Sequence, residues 1–371
     1  MQALQLPARA AAVRFCAGLA LLALSAAAQA AIRCDYRFDN PYGPAPAVLP
    51  QSLLVQALTV GRDVPDGTVI YQQLTDLQPF SLSCDGGTGN VELRSSYAAN
   101  PRPLASWNTG PYAGKVYESG LPGIGVFIED LSSGAALPAV RNLPIASLPA
   151  SVTGKQAQLR LNLIKIGPVS PGAVGGSQLP SAEVAIAQLP LLRLQFLGGL
   201  QIVSQTCTTP DVNVSMGTHR TSEFSGLGSA TAWKPFEIRL ENCPAFHGAS
   251  ASATNTHTGG SGWVFSGTTA SNQIGYALTS TTRMIGAPAQ GIVALGAARR
   301  GGSTAGGIGL QLGRPDGSPH GFDSRHPSGI VPHSEPGAGY AIPLAARYVQ
   351  TEAAVTPGEA NASIIFTIDY Q

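Results

Sequence analysis

Charge is scarce in this 371-residue chain: Asp, Glu, Lys and Arg make up 12% of it, with 22 basic residues against 21 acidic ones. A chain so close to neutrality has no basic surface of the kind that neutralises phosphates, which argues against a nucleic-acid partner. Helical signals are missing as well, because no stretch combines a 3.6-residue apolar period with caps. So are the patterns of catalysis and metal binding. Gly259-Gly260-Ser261-Gly262 does not satisfy G-x-S-x-G. The glycine-rich run Gly301 to Gly309 lacks the Lys-Ser/Thr ending of a phosphate loop. No C-x-x-C pair with a histidine at ligand spacing offers a zinc site. His320, His326 and His333 share a Pro/Gly/Ser loop without defined spacing, so a solvated loop is expected rather than a metal centre. Ser, His and Asp occur in no recognisable catalytic setting. Neither an enzyme nor a cofactor is expected.

What is present begins with an export signal. Arg9 and Arg14 precede the apolar run Phe15 to Ala28, and Ala28-Gln29-Ala30 reads as an A-x-A cleavage site. The run is short of the roughly 20 residues of a spanning helix, and no later segment is apolar enough to cross a bilayer. Cleavage after Ala30 would leave 20 basic and 21 acidic residues, and would remove Cys16. Four cysteines then remain, Cys34, Cys84, Cys207 and Cys243. An even number in an exported chain implies disulfides, and four allow three pairings. The local pairing, Cys34–Cys84 with Cys207–Cys243, puts one bridge in each half.

Forty-four glycines and 29 prolines punctuate short apolar runs. Val48 to Val60, Thr68 to Leu74, Phe80 to Cys84, Val91 to Leu93, Gly125 to Glu129, Gln158 to Ile166 and Glu183 to Phe196 are separated by turn signals such as Asp66-Gly67 and Pro122-Gly123. Short strands at regular spacing predict an all-β fold of sandwich type. The length suggests about two domains. Leu191 to Leu197 reads as the final strand of the first, Gly198-Gly199 breaks it, and Leu200 to Val203 starts a new strand leading to Cys207. Two β-sandwich domains are thus expected, over residues 31–197 and 200–371.

The last fourteen residues, Gly358 to Gln371, carry the most specific pattern. Ile364, Phe366, Ile368 and Tyr370 recur at a spacing of two, as in a strand with one buried face. The penultimate Tyr370, the glycine fourteenth from the end (Gly358), the run Ala346 to Gln350 and the turn Thr356-Pro357-Gly358 resemble the tail of chaperone–usher pilus subunits. The alternation Val212, Val214, Met216, the strand Trp233 to Leu240, Ile308 to Leu312 and cysteines 36 positions apart resemble the same family. The resemblance implies an incomplete immunoglobulin-like fold lacking its last strand. It also implies a periplasmic chaperone that first fills the open groove, an outer-membrane usher, and an adjacent fimbrial subunit that completes the groove by donor-strand complementation. Gly358 would permit the turn entering the strand, and Ile364, Phe366, Ile368 and Tyr370 would face chaperone or donor strand. The fimbrium would sit on the bacterial surface.

Val60 to Thr68, Gly123 to Val126 and Leu163 to Val169 resemble the receptor-binding domains of two-domain fimbrial adhesins, and an ordinary shaft subunit has no such domain. The expected function is therefore a tip adhesin whose first domain binds a host or surface receptor, a glycan or a matrix protein. The alternative is a structural or minor subunit without receptor binding. Sugar sites combine an aromatic platform with polar groups on loops. The stretch Tyr97 to Tyr117 is richest in these, and Tyr97, Arg102, Trp107, Asn108 and Tyr112 are the receptor-binding candidates; Asn100 and Tyr117 lie in the same stretch.

Overall fold

A computed structural model describes residues 32–86, 89–99, 102–145, 150–155, 157–259, 262–298 and 301–371. The expected signal segment, residues 1–30, and Asn100 lie outside the described residues. Among the described residues, twenty-five strands and three short 3-10 turns are formed, with no α-helix. The first part of the chain supplies β1 (Arg33–Tyr36), β2 (Ala47–Ser52), β3 (Ala57–Thr59), β4 (Val69–Asp76), β5 (Phe80–Asp85), β6 (Gly89–Ala99), β7 (Tyr117–Glu118) and β8 (Ile124–Asp130). It continues with β9 (Ala135–Ala136), β10 (Ala139–Ile145), β11 (Ala150–Lys155), β12 (Gln158–Lys165), β13 (Gly172–Gly175), β14 (Ser181–Ile186), β15 (Leu189–Leu197) and β16 (Gly199–Val203). The remainder supplies β17 (Lys234–Cys243), β18 (Ser250–Gly259), β19 (Gly262–Ala270), β20 (Ile274–Ser280), β21 (Ile292–Ala294), β22 (Ile308–Gly313), β23 (Arg325–Pro327), β24 (Ala338–Gln350) and β25 (Ile364–Tyr370).

Alternation decides which face each strand buries. In β14, Ala182, Val184 and Ile186 point inward, and in β15 Leu192, Leu194 and Phe196 do so, all closing a first core. β8 is buried on both faces. Its Val126 and Ile128 join the first core, while Phe127 on the opposite face packs with Ala105, Val116, Ala136 and Ile164 in a small separate cluster. Two of those residues, Ala105 and Val116, come from the chain between β6 and β8, which folds over the outside of the sheet.

Two main sheets enclose the first core. One runs β10-β6-β14-β15-β2; the other runs β19-β18-β4-β12-β8-β7. Cys34 and Cys84 lie directly opposite each other on β1 and β5 and are bonded. A second core lies between the sheets β17-β24-β22-β21 and β23-β20-β25, with Cys207–Cys243 at its margin. Both bridges of the local pairing are present.

The strand pairing departs from the expected boundary in two ways. Leu200 and Ile202 of β16 are fully buried in the first core, and β16 pairs with β13 and β3. The strand expected to open the second domain therefore completes the first, because the double glycine Gly198-Gly199 bends the chain back toward the same interior. The second departure is larger. β18 and β19 form a hairpin that leaves the second core and extends the first half's sheet, with β18 parallel to β4 from Ala251↔Tyr71 to Thr256↔Asp76. Ala251, Ala253, Asn255 and His257 are the buried positions of β18. The Asn255 amide donates to Gln51 Oε1 at 2.8 Å, and the His257 ring stacks on Tyr42 with Trp263 edge-on beside it.

A buried polar hub reinforces this join. Thr59 Oγ1 donates to the Ala245 carbonyl and accepts from His247 N–H, each at 2.9 Å. Asn272 donates to the Thr59 carbonyl at 2.8 Å and accepts from Gly248 N–H at 2.9 Å. Thr59 and Asn272 are both buried, so their partners must come from the protein, and three of these four bonds cross between the two halves of the chain.

Candidate functional site

β25 is the last strand of the chain and the edge of its sheet. It pairs antiparallel with β20, from Ile274↔Tyr370 to Ser280↔Ile364, and no strand among the described residues pairs with its other side. Gln371 and Gln273 exchange both backbone hydrogen bonds. By the period of two, residues 369, 367 and 365 also face β20, and the N–H and C=O groups of Ile364, Phe366, Ile368 and Tyr370 point to the open side.

Beneath this edge lies a groove of about 1130 Å³. One wall is Val355 to Ile364 with Phe366, and the other is Asp211 to His219. Its floor is apolar: Phe236, Ile238, Leu278, Leu310, Leu312, Leu344 and Tyr348. Val212, Val214 and Met216 alternate half-buried against exposed neighbours, as the sequence suggested, yet that segment forms no strand. The alternation fits a β surface; what the segment lacks is a neighbour on its groove side. Apolar lining beside a sheet edge that has no partner strand among the described residues is the kind of surface to which an added strand can bind.

The four alternating tail residues divide into two pairs. Ile368 and Tyr370 are buried members of the second core, whereas Ile364 and Phe366 are half-buried and line the groove. Burial pushes the Tyr370 phenol above its ordinary pKa. Gly358 owes its requirement to close approach. A Cβ there would overlap the backbone of Ser303 to Ala305, which bonds along it through Glu359 N–H to Ser303 O (2.8 Å) and Ala305 N–H to Glu359 O (3.0 Å).

The receptor-binding candidates are distributed over two places. The Tyr97 hydroxyl accepts from Ile128 N–H at 3.2 Å, its ring meets Tyr117 edge-to-face, and it packs on the first core; burial raises its pKa. Trp107 and Tyr112 pack instead on the small cluster around Phe127, with Tyr112 4.0 Å from that ring, centroid to centroid. The Tyr112 hydroxyl donates to Glu129 Oε1 at 3.2 Å. Glu129 is buried and also accepts from Arg160 (2.7 Å) and Asn162 (3.1 Å). Trp107 covers Gly67, where a side chain would press on the indole. Arg102 donates to Gln178 at 3.1 Å and lies over Gly120, and Asn108 is exposed. Sequence reasoning missed Glu129, Arg160 and Asn162, which are spread over β8 and β12 and meet only through sheet register.

Of the histidines, His320 and His326 come together, with ring centroids 4.2 Å apart, while His333 lies beside Tyr340. No group of three metal-ligating side chains occurs among the described residues.

Residues 197–371 match the family model described as fimbrial protein. The chain is 26% identical over 320 residues to a fimbria adhesin protein of Klebsiella pneumoniae, covering 84% of this chain and 88% of the relative. It is similar at 17% identity and a TM-score of 0.35 to the CupB6 tip adhesin from Pseudomonas aeruginosa, over 91% of this chain and 94% of that one. At 17% identity and a TM-score of 0.32 it is also similar to the receptor-binding domain of the adhesin MrkD1P of Klebsiella pneumoniae, over 48% of this chain and 98% of that one.

Proposed function

We propose that this chain, whose residues 197–371 match the model described as fimbrial protein, is a non-enzymatic component of surface pili and specifically a two-domain tip adhesin. The second half joins the fibre by accepting a strand. The open edge of β25 above its apolar groove is the observation that carries this reading. A periplasmic chaperone fills the groove before assembly, an outer-membrane usher receives the complex, and an adjacent fimbrial subunit supplies the permanent strand. Ile364 and Phe366 offer the groove-facing side chains, while Ile368 and Tyr370 anchor the same strand in the core. Main-chain hydrogen bonds along the edge supply affinity, and the pockets below it set register.

The first half binds the receptor, a glycan or matrix protein. Trp107, Asn108 and Tyr112 form the surface offered to it, whereas Arg102 lies with Gln178 and Gly120 and Tyr97 bonds Ile128 on the first core. The relative named as a fimbria adhesin spans both halves, which supports an adhesin over a structural subunit without receptor binding.

Two measurements test the two roles. Phe366→Asp places a charge in the groove and is expected to reduce recovery of a periplasmic chaperone complex at least tenfold. Wild-type recovery would sink the strand-accepting reading. The whole mature chain, held in that complex, is then applied to a glycan array and a panel of matrix proteins. Binding that Trp107→Ala and Tyr112→Ala weaken is expected; binding to nothing in either set would favour a structural subunit.

A further inference from the structure

Of the four outward backbone positions on β25, two are already taken by the first half of the chain. The Tyr370 N–H donates to Asp63 Oδ2 at 3.1 Å, and the Arg62 guanidinium donates to the Ile368 carbonyl at 3.2 Å. The two hook residues are tied to each other by Arg62 Nε to Asp63 Oδ1 at 3.0 Å and a second arm at 3.2 Å. Gly61 sets how close this hook lies: a side chain there would overlap the Tyr370 carbonyl. Val60 N–H bonds to the Val203 carbonyl, and Val60 is buried in the first core, so the hook is anchored at its base. No backbone bond to the outward groups of Ile364 or Phe366 occurs among the described residues.

We propose that Gly61-Arg62-Asp63 is a built-in stop that ends the incoming strand opposite Phe366 and thereby fixes its register in the groove. This rests on the strand-accepting reading of the groove. An edge whose every outward group were open would let an alternating strand slip by two residues and still match side-chain faces. Here a slip toward the C-terminus must break both the Arg62–Ile368 and Asp63–Tyr370 bonds. The hook is therefore a recognition element for the neighbouring subunit although it belongs to the receptor-binding half. It mimics the end of a partner strand, with a carboxylate in place of its carbonyl and a guanidinium in place of its N–H.

The test uses the full mature chain released from its chaperone complex, with two synthetic peptides of alternating apolar and polar residues. One peptide ends opposite Phe366, and the other continues opposite Tyr370. The wild-type chain is expected to bind both within twofold of each other. The variant R62A/D63A is expected to bind the longer peptide at least tenfold more tightly than the shorter. R62A alone alters an exposed side chain, keeps the Asp63–Tyr370 bond and should give an intermediate gain. The stop is overturned if the longer peptide gains as much on the wild type as on the variant, or if neither protein distinguishes the two. Failure of the shorter peptide to bind the wild type would overturn the groove reading itself, and the stop with it.

Discussion

Leu200 and Ile202 offer a sharp test of how the chain is divided. Both are fully buried and both belong to the first core, although they follow the Gly198-Gly199 break that the sequence marks as a boundary. Truncating a buried Leu or Ile to Ala costs about 2–5 kcal/mol. The two side chains sit two positions apart on one strand, so their effects need not add. A double change L200A/I202A is thus worth about 3–8 kcal/mol, a large share of the 5–15 kcal/mol typical of a domain. Hydrogen–deuterium exchange read by mass spectrometry on the full chain separates the halves. Faster exchange is expected in β12, β14 and β15, whose inward residues share that core, with little change in β22 and β24. If exchange instead rises in β22 and β24 while β12 and β14 stay protected, the assignment of β16 to the first core is wrong.

Other outcomes follow from the same geometry. Thr59→Val leaves the Ala245 carbonyl and the His247 N–H without their partner, at about 1–3 kcal/mol for each buried group, so the urea midpoint should fall measurably. Gly358→Ala forces the Val355 to Ile364 wall away from Ser303 to Ala305, and faster amide exchange at Ala305 and Glu359 should report it. His320 is fully buried; its Nδ1 faces the Gly321 carbonyl and its Nε2 accepts from the Tyr276 hydroxyl at 2.7 Å. Burial, the largest cause, with His326 and Arg314 nearby, holds its pKa below the ordinary value, against an opposing contribution from the Gly321 hydrogen bond. Below pH of about 6.5 the unfolded chain then binds a proton that the folded chain refuses. Stability should therefore fall as pH drops through that value and level off once the folded His320 also protonates. Urea midpoints at pH 7.5 and 5 should differ less in His320→Gln; an unchanged difference would remove His320 as the cause.

Much of the fold is legible in the sequence where a strand carries its own apolar signal. Phe80 to Cys84, Gln158 to Ile166 and the tail Ile364 to Tyr370 are strands whose apolar residues alternate with polar ones between turns. β18 was invisible for the opposite reason. Its buried positions are Ala251, Ala253, Asn255 and His257, small or polar side chains that meet Gln51 and Tyr42, distant in sequence, and Trp263 of the next strand. Asp211 to Met216 shows the converse. It has the alternation of a strand but no ladder, since the neighbour that would pair it is not supplied by this part of the fold. The receptor candidates could be named but not grouped, because cross-strand register, not sequence proximity, brings Tyr112 to Glu129, Arg160 and Asn162 while leaving Tyr97 in the core.

The loan of the β18–β19 hairpin to the first half bears on how the chain comes into being. Asp76 and Thr256, paired across β4 and β18, are 180 positions apart. Contacts so distant in sequence close late, because the loop between them must be ordered first. As the chain emerges from its amino terminus, β4 must wait as a bare edge until roughly half of the polypeptide has followed it. Maturation of the two halves is then interlocked. Whatever delays folding of the second half also delays completion of the first half's sheet, so neither half can be finished independently of the other.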